Sequence, residues 1–407
     1  MTAPAEAAAP VEVPPLRRDR EVQAWVVARG LSEAGDTVWT VALAWTAVHV
    51  AGPAAAGLLL GLGTLPRALC TLFGGVLADR WPTRRIVVLA NAGRVLVHLL
   101  GVLLLGVLPD RTFAVLVGVT VAFGIADALH TPAAAPMARQ MVRDEDVRPL
   151  MGMFQTVSRT ARLVGAPLGG VLVAAFGIRG AMLVDAATFV LIGAVYAVVL
   201  HPRFPRALST SGSWRRDLGE GLGYVTRTPA VRTLLLAFAG LNLFVGPALA
   251  VGVALRVSQG GWGAHTLGVV EACVGAGAAV GALVSARRDT AHPVRVAFGV
   301  LVVQGVAIAL LGYGGALLVG ATATLVGVTA GVASTYLSSM FVLTFDNAYV
   351  GRAQSVSALT DDALMPAAMA GFGALAGLTS VTAACVAAGL GMALLSAWSG
   401  TRLSRAR

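Results

Sequence analysis

Long apolar runs alternate with short breaks of Arg, Asp, Gly and Pro along almost the whole chain, and the runs are too long for strands. A bilayer core of about 30 Å requires about 20 apolar residues per helix. On that measure the first spans are Val22–Val50, Ala54–Leu77, Ile86–Leu108, Thr112–His130, Leu150–Phe176 and Gly180–Leu200 (spans 1 to 6). Spans 7 to 12 are Thr233–Leu255, Thr266–Ala286, Val294–Leu311, Ala316–Phe341, Ala353–Leu378 and Val381–Trp398. Lipid offers a backbone no hydrogen-bond partner, so each run is read as a helix. The expected fold is an all-α membrane protein with 12 transmembrane helices in two pseudo-symmetric six-helix bundles. Residues 1–21 form a tail, 22–200 the first bundle, 201–232 a linker rich in Ser and Arg, 233–398 the second bundle and 399–407 a closing tail.

An internal echo supports the two-bundle plan. Span 5 contains Gln155-Thr156-Val157-Ser158 with Pro167 twelve residues after Gln155, and span 11 contains Gln354-Ser355-Val356-Ser357 with Pro366 at the same distance. Gly75-Val76-Leu77 at the end of span 2 is matched by Gly281-Ala282-Leu283 at the end of span 8. Both echoes link equivalent spans of the two halves, and parallel six-helix repeats with a site between them are a transporter architecture.

Composition then narrows the function. Only 12% of residues are charged, against about 25% in a soluble domain. All 30 basic residues are Arg, so no Walker A lysine exists and ATP-driven transport by this chain itself is not expected. The net charge of +10 marks membrane sides rather than a nucleic-acid face: 22 Arg fall on the side of the termini, three (Arg111, Arg179, Arg256) on the other and five inside helices. By the positive-inside rule both termini are cytoplasmic. The first 20 residues, Ala/Pro-rich and without a basic segment before an apolar core, read as a tail rather than a signal peptide. Cys70, Cys273 and Cys385 lie in separate apolar runs without metal-ligand spacing, so neither metal nor cofactor is expected. With no H-E-x-x-H, no G-x-S-x-G and no large soluble domain, a receptor or enzyme is the remote alternative.

Between spans 2 and 3 stands Gly75-Val76-Leu77-Ala78-Asp79-Arg80-Trp81-Pro82-Thr83-Arg84-Arg85. It resembles the signature loop of the major facilitator superfamily, G-x-L-A-D-R-x-G-R-R/K, with Pro82 and Thr83 in place of the usual Gly and Arg. Gly35-Asp36, Arg94, Thr131-Pro132-Ala133, Asp185-Ala186 and the stretch from Gly219 to Pro229 look like the drug and siderophore exporter branch that includes the enterobactin exporter. Span 5 carries Gly165-Ala166-Pro167-Leu168-Gly169-Gly170, similar to the antiporter pattern G-P-x-x-G-G with its proline one place late. Span 4 lacks the intramembrane Arg of many proton-coupled drug antiporters, a charge that Arg94 of span 3 would replace.

The resemblance implies a monomeric proton antiporter in a bacterial cytoplasmic membrane, exporting a small amphiphilic molecule by alternating access; an importer of the same fold is the nearest alternative. It places span 1 along the central cavity, span 2 against span 11 and span 5 beside span 8. Gly75, Asp79, Arg80, Arg84, Arg85 and Arg352 would form a cytoplasmic latch, Asp79 meeting the N-terminal dipole of span 11. For Arg84 and Arg85 a simple anchoring role beside anionic lipid is an equal reading.

An ionisable group near the bilayer centre costs roughly 2.5–3.5 kcal/mol on insertion scales, so each calls for a partner or a purpose. Arg29, Glu33 and Asp36 fall at i, i+4 and i+7 on one face of span 1. Asp36, Glu33 and Asp127 are the proton-coupling candidates, Asp127 with His130 forming a candidate relay; a salt bridge from Asp36 to Arg94 or Arg29 is the alternative. By depth, Arg67 would face Asp361 and Asp362, and Arg159 and Arg162 would face Glu271, as interdomain pairs. Trp39 and Arg94 are substrate-cavity candidates, with core packing an equal reading of Trp39, and Trp25 reads as an interfacial anchor.

Overall fold

The computed structural model describes residues 14–405 except 81, 135–136, 205–222, 224–225, 289, 291 and 345–349. At 67–80, 131–132, 230, 237–238, 241, 341–344, 350–362 and 404–405 only the backbone is considered. Among the described residues there is no strand, and nine helices are long and apolar enough to cross a bilayer. Two of them, Arg20–Pro66 and Asp144–Val199, are double: the chain reverses within each at a single glycine, Gly52 (φ +74°) and Gly177 (φ +63°). Only glycine adopts that left-handed backbone without steric cost, which is why the breaks between spans 1 and 2 and between spans 5 and 6 fall there. With the helix Val350–Leu378, the arrangement accords with twelve crossings.

The helices begin and end slightly outside the apolar runs, for local reasons. Span 7 starts at Pro229 and span 9 at Pro293, because proline at the first helical position loses no hydrogen bond. Span 5 starts at Asp144, whose turn also carries Glu145 and Asp146 against the positive end of the helix dipole. Span 7 relaxes into a π-helical stretch, Ala248–Val253, directly after Pro247, a familiar response to the backbone bond a proline removes.

The outward surface is apolar. Leu89, Leu96 and Leu103 repeat every seven residues along span 3 and are each more than half exposed, as a lipid-facing stripe requires. Inside, glycines bring backbones together. Gly277 and Gly281 of span 8 abut the backbone of Thr324 and Val328 in span 10, while Gly327 and Gly331 abut Val274 and Ala278 in return. Gly305 and Gly389 join spans 9 and 12 in the same reciprocal way. This is the small-residue packing that substitutes for hydrophobic driving force in lipid.

The start of span 1 is tied to the segment after span 6. Asp19 accepts from the Val22 amide and from both terminal nitrogens of Arg203, which also reaches Glu21 at 3.3 Å. Burial alone would raise the Asp19 carboxyl, but the Arg203 guanidinium and the helix amides outweigh it and hold it below the usual carboxylate range.

Candidate functional site

The interior of spans 1, 3, 4 and 6 holds a chain of ionisable groups enclosed by aromatic rings. Arg94 of span 3 is 3% exposed and makes an ion pair with Asp127 of span 4. Its guanidinium lies over Phe189 at 5.0 Å and Phe123 at 5.9 Å, and Asn91 is 3.5 Å away. One turn further along span 3, His98 is fully buried: Nδ1 lies 3.1 Å from the Arg94 carbonyl and Nε2 lies 3.2 Å from Oδ2 of Asp185 on span 6. Thr188 donates to the Asp185 carbonyl and sits 3.4 Å from Oδ1. Trp39, Phe123 and Phe189 close around the His98 ring with centroids 5.0, 5.1 and 5.8 Å away. Gly35 of span 1 lets that helix lie directly on Oδ1 of Asp185; a methyl group there would collide with it.

The structure sorts the residues singled out from the sequence. Arg29 and Glu33 pair at 2.9 Å, and Arg29 also covers Phe154 at 4.6 Å. Asp36 is half-buried and its carboxylate makes no hydrogen bond or ion pair among the described residues, so the alternative bridge to Arg94 or Arg29 is not formed; Arg94 is committed to Asp127 and Arg29 to Glu33. Trp39 and Arg94 are both buried in the interior of the first half, which fits the core-packing reading of Trp39. Trp25 is not an interfacial anchor: it is 1% exposed, donates to the Tyr196 hydroxyl at 3.0 Å and meets Phe154 edge-on. Asp127 is engaged by Arg94, and His130 stands edge-on to Tyr196 with Nε2 enclosed rather than solvated. A lone histidine in an apolar run carries no pattern of its own, and the signal for His98 in the sequence is its i, i+4 spacing from Arg94.

Among the described residues, the contacts between the halves given by the glycines and by His49 lie toward the side away from the termini. Gly57 and Gly61 of span 2 abut the backbone of Met369, Gly373 and Pro366 in span 11. The span 5 motif works as a three-way crossing: Gly165 and Gly169 receive span 1 at Ala34 and Val38, Gly170 receives span 8 at Ala264, and Gly268 of span 8 rests on Ala166 and Pro167. His49 at the end of span 1 meets Ser258 at the end of span 7 at 3.1 Å. Arg159 and Arg162 lie nearer the terminal side, are exposed, and form no ion pair with the half-buried Glu271 among the described residues. Gly75 and the side chains of Arg67, Asp79, Arg80, Arg352, Asp361 and Asp362 lie outside what the structure describes beyond the backbone. Arg84 stays within the first half, donating to the carbonyls of Tyr196 (2.8 Å) and Ala197 at the end of span 6, and Arg85 is exposed.

The sequence model of the Major Facilitator Superfamily matches residues 26–363. The chain belongs to that superfamily. It is a multi-pass membrane protein of that transporter superfamily. A curated relative is the uncharacterized MFS-type transporter YfiS of Bacillus subtilis (strain 168), 25% identical over 241 residues. That match spans 58% of this chain and 56% of YfiS, little more than half the length of the relative. Among solved folds, the superfamily arrangement is shared with the nucleoside transporter NupG (D323A mutant), at a TM-score of 0.75 and 11% identity over 95% of this chain and 99% of that one. It is shared too with a bacterial homologue of the iron transporter ferroportin in its inward-facing state, at a TM-score of 0.76 and 15% identity over 94% and 99%.

Proposed function

We propose that this superfamily transporter is a secondary active exporter of a small amphiphilic molecule, driven by proton antiport through alternating access, and that it works as a monomer in a bacterial cytoplasmic membrane with both termini cytoplasmic. The observation that carries the reading is the enclosed set of ionisable groups in the first half. Each member costs insertion energy, and a passive scaffold has no use for so many. Asp36 supports the coupling half of the reading: it is the half-buried carboxylate of span 1 without a fixed cation, one residue from the helix contact on Asp185. The glycine crossings at spans 2/11 and 5/8 support the rocking half, since smooth backbone contacts can slide or part without unmaking side-chain networks.

On this reading the two six-helix bundles move as bodies about those crossings, and the signature loop, Arg352 and the Arg67–Asp361/Asp362 and Arg159/Arg162–Glu271 groups meet when the cytoplasmic side closes. The decisive experiment expresses the chain in a drug-sensitive bacterium and follows accumulation of ethidium with and without an uncoupler. Export predicts lower accumulation that the uncoupler abolishes. Accumulation above that of the empty host would instead mark an importer. Asp79→Asn is expected to insert normally while losing the uncoupler-sensitive efflux, and full efflux in that variant would remove the latch.

A further inference from the structure

We propose that His98 and Asp185 hold one shared proton between Nε2 and Oδ2, and that this pair is a proton site of the transport cycle. The argument is one of donors and acceptors. Nδ1 of His98 faces the Arg94 carbonyl at 3.1 Å, and a carbonyl can only accept, so Nδ1 carries a hydrogen. Nε2 faces Oδ2 of Asp185 at 3.2 Å, and neither atom has another hydrogen-bond partner among the described residues. Two bare lone pairs cannot face each other inside a protein at that separation. A proton therefore lies between them, whether the pair is written as imidazolium with carboxylate or as neutral imidazole with carboxylic acid.

The surroundings keep this proton from solvent and connect it to movement. Both side chains are fully buried, and the rings of Trp39, Phe123 and Phe189 cover the imidazole. The charged groups around the pair are Arg94 on span 3, already balanced by Asp127 on span 4, and Asp36 and Glu33 on span 1, with Arg29 holding Glu33; His130 of span 4 adds a further titratable ring on the far side of Asp127. No spare cation among these would compensate the pair once its proton left. The deprotonated pair must then separate or turn toward water, and Asp185 cannot move without displacing span 1, whose Gly35 lies on Oδ1 and Thr188. Asp36 is the next residue on that helix, so the same displacement presents a second carboxylate to the proton's path. The role in the cycle rests on the antiport reading above; the shared proton itself rests on geometry alone.

The test uses the full chain in lipid nanodiscs with ring-15N histidine, assigned by His98→Gln. The expected result is a His98 ring protonated at Nδ1, whose Nε2 signal changes in the same pH step as a carboxyl infrared band lost in Asp185→Asn. In Asp185→Asn the amide donates to Nε2, so His98 is expected to remain a neutral, Nδ1-protonated ring with that step lost. A ring protonated only at Nε2 in the unaltered chain, or a His98 step that persists in Asp185→Asn, would overturn the proposal. In cells, Asp185→Asn is expected to lose the uncoupler response of ethidium efflux, and retention of that response at the unaltered level would overturn the role in the cycle. Gradient-independent efflux by the unaltered chain would overturn the antiport reading alone and leave the spectroscopic result standing.

Discussion

The two halves of this transporter are built on one helical plan but are held together by different chemistry. The first half is fastened by polar and aromatic side chains in its interior: Arg94–Asp127, His98–Asp185, the Trp25–Tyr196 hydrogen bond and the rings around them. The second half is fastened by glycines. Its described buried polar residues are neutral, Thr233, Ser285, Gln304, Thr322, Thr329, Ser396 and Ser399, and mostly bond to nearby helix carbonyls, while spans 8 and 10 and spans 9 and 12 touch backbone to backbone. The difference teaches where chemistry and mechanics reside. Among the described residues the enclosed ion pairs lie in the first half, while the second half packs through glycine contacts; on the proposed reading the first carries the proton and the second is the body against which it rocks.

Three perturbations probe that contrast. The largest effect is expected from Arg94→Met, which takes the buried Arg94 cation away from the partly buried Asp127 carboxylate. Removing one partner of a buried ion pair costs about 3–5 kcal/mol. A large fall in thermal midpoint in detergent is expected, with much of it recovered in the Arg94→Met, Asp127→Leu double variant. If the double variant is no more stable than the single, the pair is not what holds spans 3 and 4 together. In the second half, Gly327→Leu places a side chain against the backbone of Val274 and Ala278. Overpacking of this kind costs about 1–3 kcal/mol. An intermediate fall in midpoint is expected there, with no partner substitution of charge able to rescue it.

The smallest effect concerns the Arg203–Asp19 tie outside the membrane. Because the folded carboxyl is held below its unfolded value of about 3.9, the tie is fully present above that value and is lost as pH falls through the lower folded value. Arg203→Ala is therefore expected to lower the midpoint slightly at pH 7 and to make no difference once Asp19 is protonated in both states. An equal penalty of Arg203→Ala under strong acid would show that the tie is not electrostatic.

Much of the mechanical frame was legible in the sequence. Apolar run lengths located the helices, and Gly52 and Gly177 fell at the breaks because a reversal within one residue requires a left-handed backbone. The span 5 glycines stand out in the sequence as a motif, and the structure shows them serving two different neighbours, spans 1 and 8. The pairing of buried charges was not legible. Sequence spacing reports neighbours along one helix, as with Arg29 and Glu33, but Arg94 and Asp127 are 33 residues apart and His98 and Asp185 meet across spans 3 and 6. Trp25 misled for the same reason: its position near a helix end suggested the membrane interface, whereas the start of span 1 is covered by Tyr196 and Phe154.

The central claim is that proton chemistry in the first half drives transport. Its most direct measurement is proton release from inverted membrane vesicles that carry an imposed proton gradient, followed with a pH-sensitive dye on addition of ethidium. The account predicts that ethidium discharges the gradient when the unaltered chain is present and fails to do so when the chain carries Asp185→Asn. Discharge by the Asp185→Asn variant at the unaltered rate would contradict it.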